Sequence, residues 1–521
     1  MFLLKKINLP LRLFFSVILS LIIVVAFEFL FLKLSERPRT DQIPLVLVPT
    51  AALGYLIFSI WGTIIEIGGV NITAPKIQFN TAAISTSLRE HWPGIALASL
   101  FFAVYLYFGV RINFSKFDTT DKFFEADNYP WMHRIAVPNG YQYDMRAPHP
   151  FAYFIFRPLG WFFNLFTQSP WLSAILLTTL TGALCVFLAW LFIKRQFQNP
   201  IYALLIASLL GLCTAHLFFG SVIETYIFSA AAMIGFILAL QKNADSISAP
   251  VTMSVLTFGI TITNFVQNFI GFFVTQFLKL FSFGRQPGEA RKTFKEYLAK
   301  VFSFTALALS IGIVISLLHA AFYPASRLFY VPTDAAIEND FALPTFQGPM
   351  WRITGRIILL IRTILMYAVV APNPHVSRLE VGAQFPYFNF FKLTPEVYSY
   401  SSYTGVGRIV IAVWIVMLLA SAIFFIWNFI RTRKTDLSLV FLICILFNFV
   451  LHLSYGFESF LYSPDWAYAL IFFVALSLGP LAKNRLFQVG MLVFLILLAY
   501  NQIHFFQFIL ATNAPFYGQG G

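Results

Sequence analysis

The chain has 521 residues, of which 59% are hydrophobic, 18% aromatic and only 11% charged. Soluble domains carry about 25% charged residues, so this composition excludes a soluble globular protein and points to a lipid bilayer. The formal net charge of +13 needs no nucleic-acid partner, because Lys and Arg that hold loops on the cytoplasmic side and meet anionic headgroups account for it.

A membrane-spanning helix needs about 20 mostly apolar residues. In chain order such stretches fall at 12–33, 43–66, 92–110, 170–193, 199–219, 225–241, 251–267, 268–283, 301–322, 406–429, 437–456, 464–482 and 486–511, about thirteen spans in all. Lys5, Lys6 and Arg12 flank the first, which is long enough to be a span rather than the short apolar core of a cleavable signal peptide. Cys185, Cys213 and Cys444 lie in apolar runs without metal spacing and read as packing residues.

Basic loops orient the spans. Lys5/Lys6, Lys194-Arg195, the run from Arg285 to Lys300, Arg431 to Lys434 and Lys483/Arg485 all fall on the cytoplasmic side if the N-terminus is inside and 251–283 is a hairpin. Its outward tip then carries Asn264, Gln267 and Asn268. The predicted architecture is an all-α polytopic membrane protein in five parts: N-terminal helices 1–110, an outer loop region 111–169, a transmembrane core 170–322, a second outer region 323–405 and C-terminal helices 406–521. Within the second outer region, "WRITGRIILLIRTILMYAVV" (351–370) would break the charge parity as a full crossing. It reads as a re-entrant or interfacial helix with Arg352, Arg356 and Arg362 on one broad face.

Positive charge on the outer side is left over: Arg111, Lys116, Lys122, Arg134, Arg146, Arg157, Arg327, Arg352, Arg356, Arg362 and Arg378. Acids such as Asp118, Asp121, Glu125 and Asp144 balance some of it. The surplus at membrane depth, where charge is expensive, suits an anionic ligand such as a lipid phosphate; snorkelling to the headgroups is the alternative. The stretch "YDMRAPHPFAYFIFRPLGW" (143–161) concentrates the pattern. Two prolines around His149 break any helix there, and the aromatic run beyond can lie along the interface between Arg146 and Arg157.

The segment from Asp127 onward resembles the first outer loop of the GT-C glycosyltransferases, in their protein-mannosyl and aminoarabinose transferase branches. The resemblance rests on Asp127-Asn128-Tyr129, an acid with a Tyr two residues on. Gly140-Tyr141 follows as a turn, then Pro148-His149-Pro150 and "FAYFIF". It continues through "FNLFTQSPWL" and "LFIKRQFQNP" to "GSVIETYIFSA", where Glu224 takes the place of an acid between two spans. It covers roughly 120–241. Many relatives have a second acid directly after the first, where this chain has Asn128.

The resemblance implies an integral-membrane enzyme that moves a sugar, with inversion, from a polyprenyl-phosphate carrier to a glycan, lipid or protein acceptor on the outer face of a bacterial plasma membrane. Such a carrier is a good leaving group, so one carboxylate that takes the acceptor's proton suffices, and cations stabilise the phosphate. Asp127 is then the general base and Glu224 a second acidic site residue. Asn128 can still orient a hydroxyl by hydrogen bond, and Arg146 and His149 would lie near the phosphate. Tyr129 is a further binding candidate, and so are Arg157, Arg352 and Arg356, the last three from the surplus of outer charge rather than from the resemblance. Asn264, Glu458 and Tyr462 are candidates for sugar or acceptor contacts. A divalent cation, Mg or Mn, is left open as a cofactor.

Each assignment has a plainer reading. Glu224 can cap a helix start, His149 can hold a loop carbonyl, and Asn264 and Gln267 can make interhelical hydrogen bonds. The aromatic turn near Glu458 and Tyr462 can be an interfacial belt. At the level of function the alternatives are a transporter or flippase of a lipid-linked saccharide or other anion, and a non-catalytic protein of the same fold.

Overall fold

The computed structural model describes residues 81–114, 118–137, 140, 145–242, 246–281, 287–377, 385–393, 397–432 and 437–517, with single positions at 16, 17, 20, 21, 24, 50 and 54. The spans expected at 12–33 and 43–66 lie almost wholly outside the described residues, as do Lys116, Tyr141, Asp144 and Arg378. The described chain is mostly helical.

The first long helix, α1, is Thr81–Ile112. Two shorter helices occupy the first connecting region, α2 (Asn128–Ala136) and α3 (Ala152–Thr167). The core then runs α4 (Pro170–Phe197), α5 (Pro200–Leu212), α6 (Thr214–Phe219), α7 (Tyr226–Lys242), α8 (Ser248–Ile260), α9 (Phe265–Phe281) and α10 (Pro287–Phe322). The helix α11 (Met350–Arg362) belongs to the second connecting region. The chain ends with α12 (Val406–Thr432), α13 (Leu437–Ser454), α14 (Pro464–Ser477) and α15 (Arg485–Tyr517).

Among the described residues, six helices are long and apolar enough to cross a membrane: α1, α4, α10, α12, α13 and α15. The expected count of about thirteen is therefore not reproduced span for span. The run at 199–219 divides at Cys213 into α5 and α6, and 251–267 ends as α8 at Ile260, followed by a 3-10 turn at Ile262–Asn264. The helices α5, α7, α8 and α14 are apolar but only 13 to 17 residues long. Packing explains how such short pieces persist, since α7 and α14 are buried along almost their whole length.

Burial sorts the helices. In α4, 67% of the most apolar window is buried, against 28% in α12 and α15. The helix α4 packs against α1, α5, α7 and α3, and sits at the centre. The helix α12 presents Ile409, Val416, Leu419, Ile423, Ile426, Trp427 and Ile430 outward. A surface this apolar is stable only in contact with lipid or another apolar face.

The second connecting region departs from the all-α expectation. It contains four short strands, β1 (His375–Ser377), β2 (Tyr387–Asn389), β3 (Phe391–Leu393) and β4 (Tyr398–Tyr400). They form two antiparallel pairs, with Val376 opposite Phe388 and Lys392 opposite Ser399. "FPYFNFF" is too short and too uniformly aromatic to stand out from an interfacial aromatic run. The expected helix at 351–370 is present as α11, continued by a π-helical turn at Thr363–Tyr367. Its arginines do not act as one face. Arg352 is exposed, Arg356 is 1% exposed, and Arg362 donates to the Tyr367 hydroxyl.

The two connecting regions meet at one end of the bundle. Phe124 N donates to Phe388 O and Phe388 N to Lys122 O, so β2 clamps the acidic loop. Farther on, Arg327 N donates to Met145 O. The His-Pro turn plugs into the α8 terminus: His149 Nδ1 lies 2.6 Å from Ile260 O, Ile262 N donates to Pro148 O, and Phe151 N to Gly259 O. This turn is what interrupts the apolar run of 143–161.

Gly259 makes that docking possible. A Cβ there would stand 1.9 Å from the Phe151 ring. Gly259→Ala should therefore destabilise the purified protein by about 1–3 kcal/mol, the usual cost of overpacking. Phe151→Ala in the same chain should remove part of that cost. Thermal melts of the four members of this cycle check it, and strict additivity would show that the two residues do not meet.

Candidate active site

The site grows from the end of α1. Asn113, 2% exposed, donates from Nδ2 to Gly109 O and Ser221 O and accepts from Ile223 N through Oδ1. One amide side chain thus fixes the turn between α6 and α7. That turn delivers Glu224 into the interior, where it is 2% exposed.

Both Glu224 oxygens are engaged. Oε1 accepts from Thr225 N at 2.8 Å, and Oε2 accepts from Asp127 N at 2.9 Å. The second bond joins two acids that stand 97 residues apart in sequence. Asp127 itself is the residue before α2 and half-buried. Its carboxyl is held above the usual range, chiefly by burial, while Arg134 and Arg146 pull the other way. Burial and the neighbouring Asp127 likewise raise Glu224.

A second carboxylate pair lies beside the first. Glu458 N donates to Glu125 Oε2 at 3.2 Å, and Glu458 Oε1 accepts from Phe460 N. Burial pushes Glu458 up to about 8 and Glu125 up to about 7, each further raised by neighbouring acids. The loop between is wound unusually: Asp121, Phe124 and Glu125 have φ of 62°, 56° and 58°. A bulky residue with positive φ is costly. Phe124 holds the conformation because its ring is fully buried among Phe218, Phe390 and Phe460, with centroids 4.5 to 5.1 Å away.

Phenols and cations complete the cluster. Tyr226 and Tyr462 meet edge to face at 5.1 Å, and His452 packs on Tyr462 at 4.5 Å. The charge of Arg146 is felt at Tyr462, Tyr455 and Asp127 alike. Arg146 makes a bidentate ion pair with Glu338, and its guanidinium lies 3.8 Å over the Phe341 ring.

Of the residues singled out from sequence, Asp127, Glu224, Arg146, Glu458 and Tyr462 come together here. Others are committed elsewhere. Asn128 Nδ2 donates to Thr119 Oγ1 at 2.7 Å and its oxygen accepts from Tyr129 N, so it builds the start of α2 and is turned from any substrate hydroxyl. Tyr129 packs on His133. His149 is buried against Trp131, and burial pushes its pKa down to about 3. It is therefore the neutral donor to Ile260 O, the plain alternative, and does not carry a charge toward a phosphate. Arg157 is 5% exposed on α3, above Tyr153.

Two further assignments change. Arg356 donates to the carbonyls of His452, Phe457, Tyr455 and Gly456. A guanidinium so employed clamps the turn before Glu458, and most of its donors are committed to carbonyls rather than to a phosphate. Asn264 Oδ1 accepts from Gln267 Nε2, which also bonds Asp465 O, while Asn268 bonds Thr257; this is the interhelical network. Arg352 lies near Trp351 on the exposed side of α11. Glu338, Tyr226 and Tyr455 belong to the cluster but carry no spacing signal, while Glu125 stands out in the sequence only as one of the clustered acids Asp118, Asp121, Glu125 and Asp127.

The donor set does not suit the divalent cation left open above. Asn128 is turned to Thr119, Glu125 to Glu458 N, and both Glu224 oxygens to amides. Among the described residues, no group of three or more His, Cys, Asp or Glu could hold a metal ion. No family model and no curated protein sequence matches the chain.

The pH dependence of stability follows from the second pair. Glu125 and Glu458 are raised above their ordinary value of 4.5, so the folded chain holds protons that the unfolded chain has lost. This contribution is full below about pH 4.5 and is lost as pH rises through 7 to 8. The melting temperature in detergent should fall from pH 6 to pH 9 by on the order of 2 °C or more. Glu458→Gln should flatten that slope; an unchanged slope would remove Glu458 from the account.

Proposed function

We propose that the chain is a membrane glycosyltransferase. It would move a sugar from a polyprenyl-phosphate carrier to a glycan, lipid or protein acceptor, at the outer face of a bacterial plasma membrane. The observation that carries the reading is the contact between the Asp127 main-chain N–H and the Glu224 carboxyl, with Arg146 and Arg134 acting on the carboxyl of Asp127 itself. It joins the two acids that the GT-C resemblance singles out, at the end where both connecting regions meet.

The chemistry assigns each group a task. Ionised Asp127 takes the proton of the acceptor hydroxyl as that oxygen attacks the anomeric carbon and the bond to the carrier phosphate breaks. A raised pKa makes it a stronger base than a solvated Asp when it is ionised. Glu224 holds the Asp127 backbone in place and is a positioning residue. Arg146 meets the negative charge that develops on the departing phosphate. Tyr462 and Tyr226 supply flat surface and hydroxyls suited to a sugar ring.

Reconstitution with radiolabelled polyprenyl-phosphate sugars tests this. Asp127→Asn should lower kcat by about 10²- to 10⁴-fold, the usual contribution of a general base, with the donor KM little changed. The wild-type rate should rise with pH on an acidic limb above the ordinary Asp value of about 3.9, and the limb should vanish in Asp127→Asn. Labelled lipid that crosses the bilayer without sugar transfer would support a transporter instead. Transfer that survives Asp127→Asn would reject the base.

A further inference from the structure

Arg146 is the cation placed to meet a phosphate, yet it already carries an anion. Its Nε donates to Glu338 Oε1 at 3.2 Å, and its Nη2 pairs with Glu338 Oε2. Tyr455 donates its hydroxyl to the same Oε2 at 3.2 Å. A carboxylate gripped by a guanidinium fork and a phenol has two in-plane oxygens and one negative charge. A phosphate monoester or diester presents the same pair of oxygens to the same donors.

The segment that brings Glu338 there is lightly held. It consists of a short helix at Pro332–Ala335 and a 3-10 turn at Ala336–Phe341, neither of which has a buried residue. Besides the ion pair and the Tyr455 hydroxyl, Phe341 stacks under Arg146, Leu328 N donates to Asp334 Oδ2, and a short antiparallel bridge pairs Ala342 with Tyr455, in which Gly456 N donates to Phe341 O and Leu343 N to Ser454 O. Segments with little buried apolar area open at low cost. By contrast Arg146 and Tyr455 stand on parts that are firmly tied. Arg146 adjoins the turn docked on α8, and Tyr455 lies in the turn clamped by Arg356.

We propose that Glu338 is an internal stand-in for a phosphate, and that the strap 332–343 must release Arg146 and Tyr455 before a phosphate-bearing ligand can take their place. This rests on the reading of Arg146 as the carrier-phosphate residue. It adds Tyr455 to the anion seat and makes Glu338 a residue that sets donor affinity without touching the donor. Only the fraction of molecules with the strap released can bind, so the apparent dissociation constant is the intrinsic one divided by that fraction.

The test is equilibrium binding of a polyprenyl monophosphate to the full chain in nanodiscs, with inorganic phosphate as the second arm. Glu338→Gln keeps the shape of the side chain and removes its charge. It should bind the polyprenyl phosphate on the order of tenfold more tightly than wild type, the gain expected if about a tenth of wild-type molecules are released. Arg146→Met should bind weakly, and Glu338→Gln should give no gain in that background. Tyr455→Phe should cut part of the affinity of Glu338→Gln. Inorganic phosphate that competes at the same seat assigns it to the phosphate alone, while a lipid-only response assigns it to the carrier. Thermal melts confirm that each variant is folded.

Binding that is unchanged or weaker in Glu338→Gln overturns the proposal, and so does a gain that persists without Arg146. The outcomes separate from the reading above. Tighter phosphate binding in Glu338→Gln with no sugar transfer from any donor keeps the stand-in and rejects the transferase. Sugar transfer that depends on Asp127, with binding indifferent to Glu338, does the reverse.

Discussion

Glu224 is a buried carboxylate whose two oxygens accept from main-chain amides of two different segments. Burying such a group without partners would cost several kcal/mol, so the fold has to supply both donors. One comes from its own turn, set by Asn113. The other comes from Asp127, which must therefore arrive at the same point from the first connecting region. The path of residues 118–127 follows from that demand. Three residues in the left-handed region turn the chain inward, the Phe124 ring fastens it in an aromatic pocket, and β2 closes over it.

The same economy runs through the rest of this end of the bundle. Polar side chains here are mostly bound to main-chain groups rather than to one another: Arg356 to the 452–457 carbonyls, His149 to Ile260, Glu458 to Phe460. In an apolar bundle the broken ends of helices expose amides and carbonyls that water cannot reach. Side chains that satisfy them fix the geometry of the loops. Arg146 differs in that it is bound to a carboxylate, and beside it Tyr226 and Tyr462 pack on each other.

Sequence conveys some of this and not the rest, for identifiable reasons. Apolar runs of helical length mark the positions of α1, α4, α10, α12, α13 and α15, because lipid imposes length and composition directly. They do not mark where α5 ends at Cys213 or α8 at Ile260, since those breaks are set by tertiary hydrogen bonds. The prolines around His149 mark the break ahead of α3, and the turn they make docks on α8. Charge was less informative. Arg146 and Arg356 look alike as outer arginines, yet one holds a carboxylate and the other five times over holds carbonyls. Only the partner tells them apart, and the partners lie about a hundred or more residues away. Glu338 was equally silent, an acid in a polar stretch with no motif around it.

That difference between the two arginines bears on how an anion site can exist at all in a greasy chain. A cation left unpaired in apolar surroundings is costly, and a site that waits empty would carry that cost. A pair such as Arg146–Glu338 avoids it by keeping the charge balanced. In the proposed exchange a ligand would replace one anion by another, so the net electrostatic gain would be small and selectivity would come from geometry. A bidentate phosphate with an apolar tail can outcompete a carboxylate on a loosely packed strap, because its tail adds buried apolar area that the strap lacks. The lipid part of a carrier would thus supply the preference, and the phosphate the position.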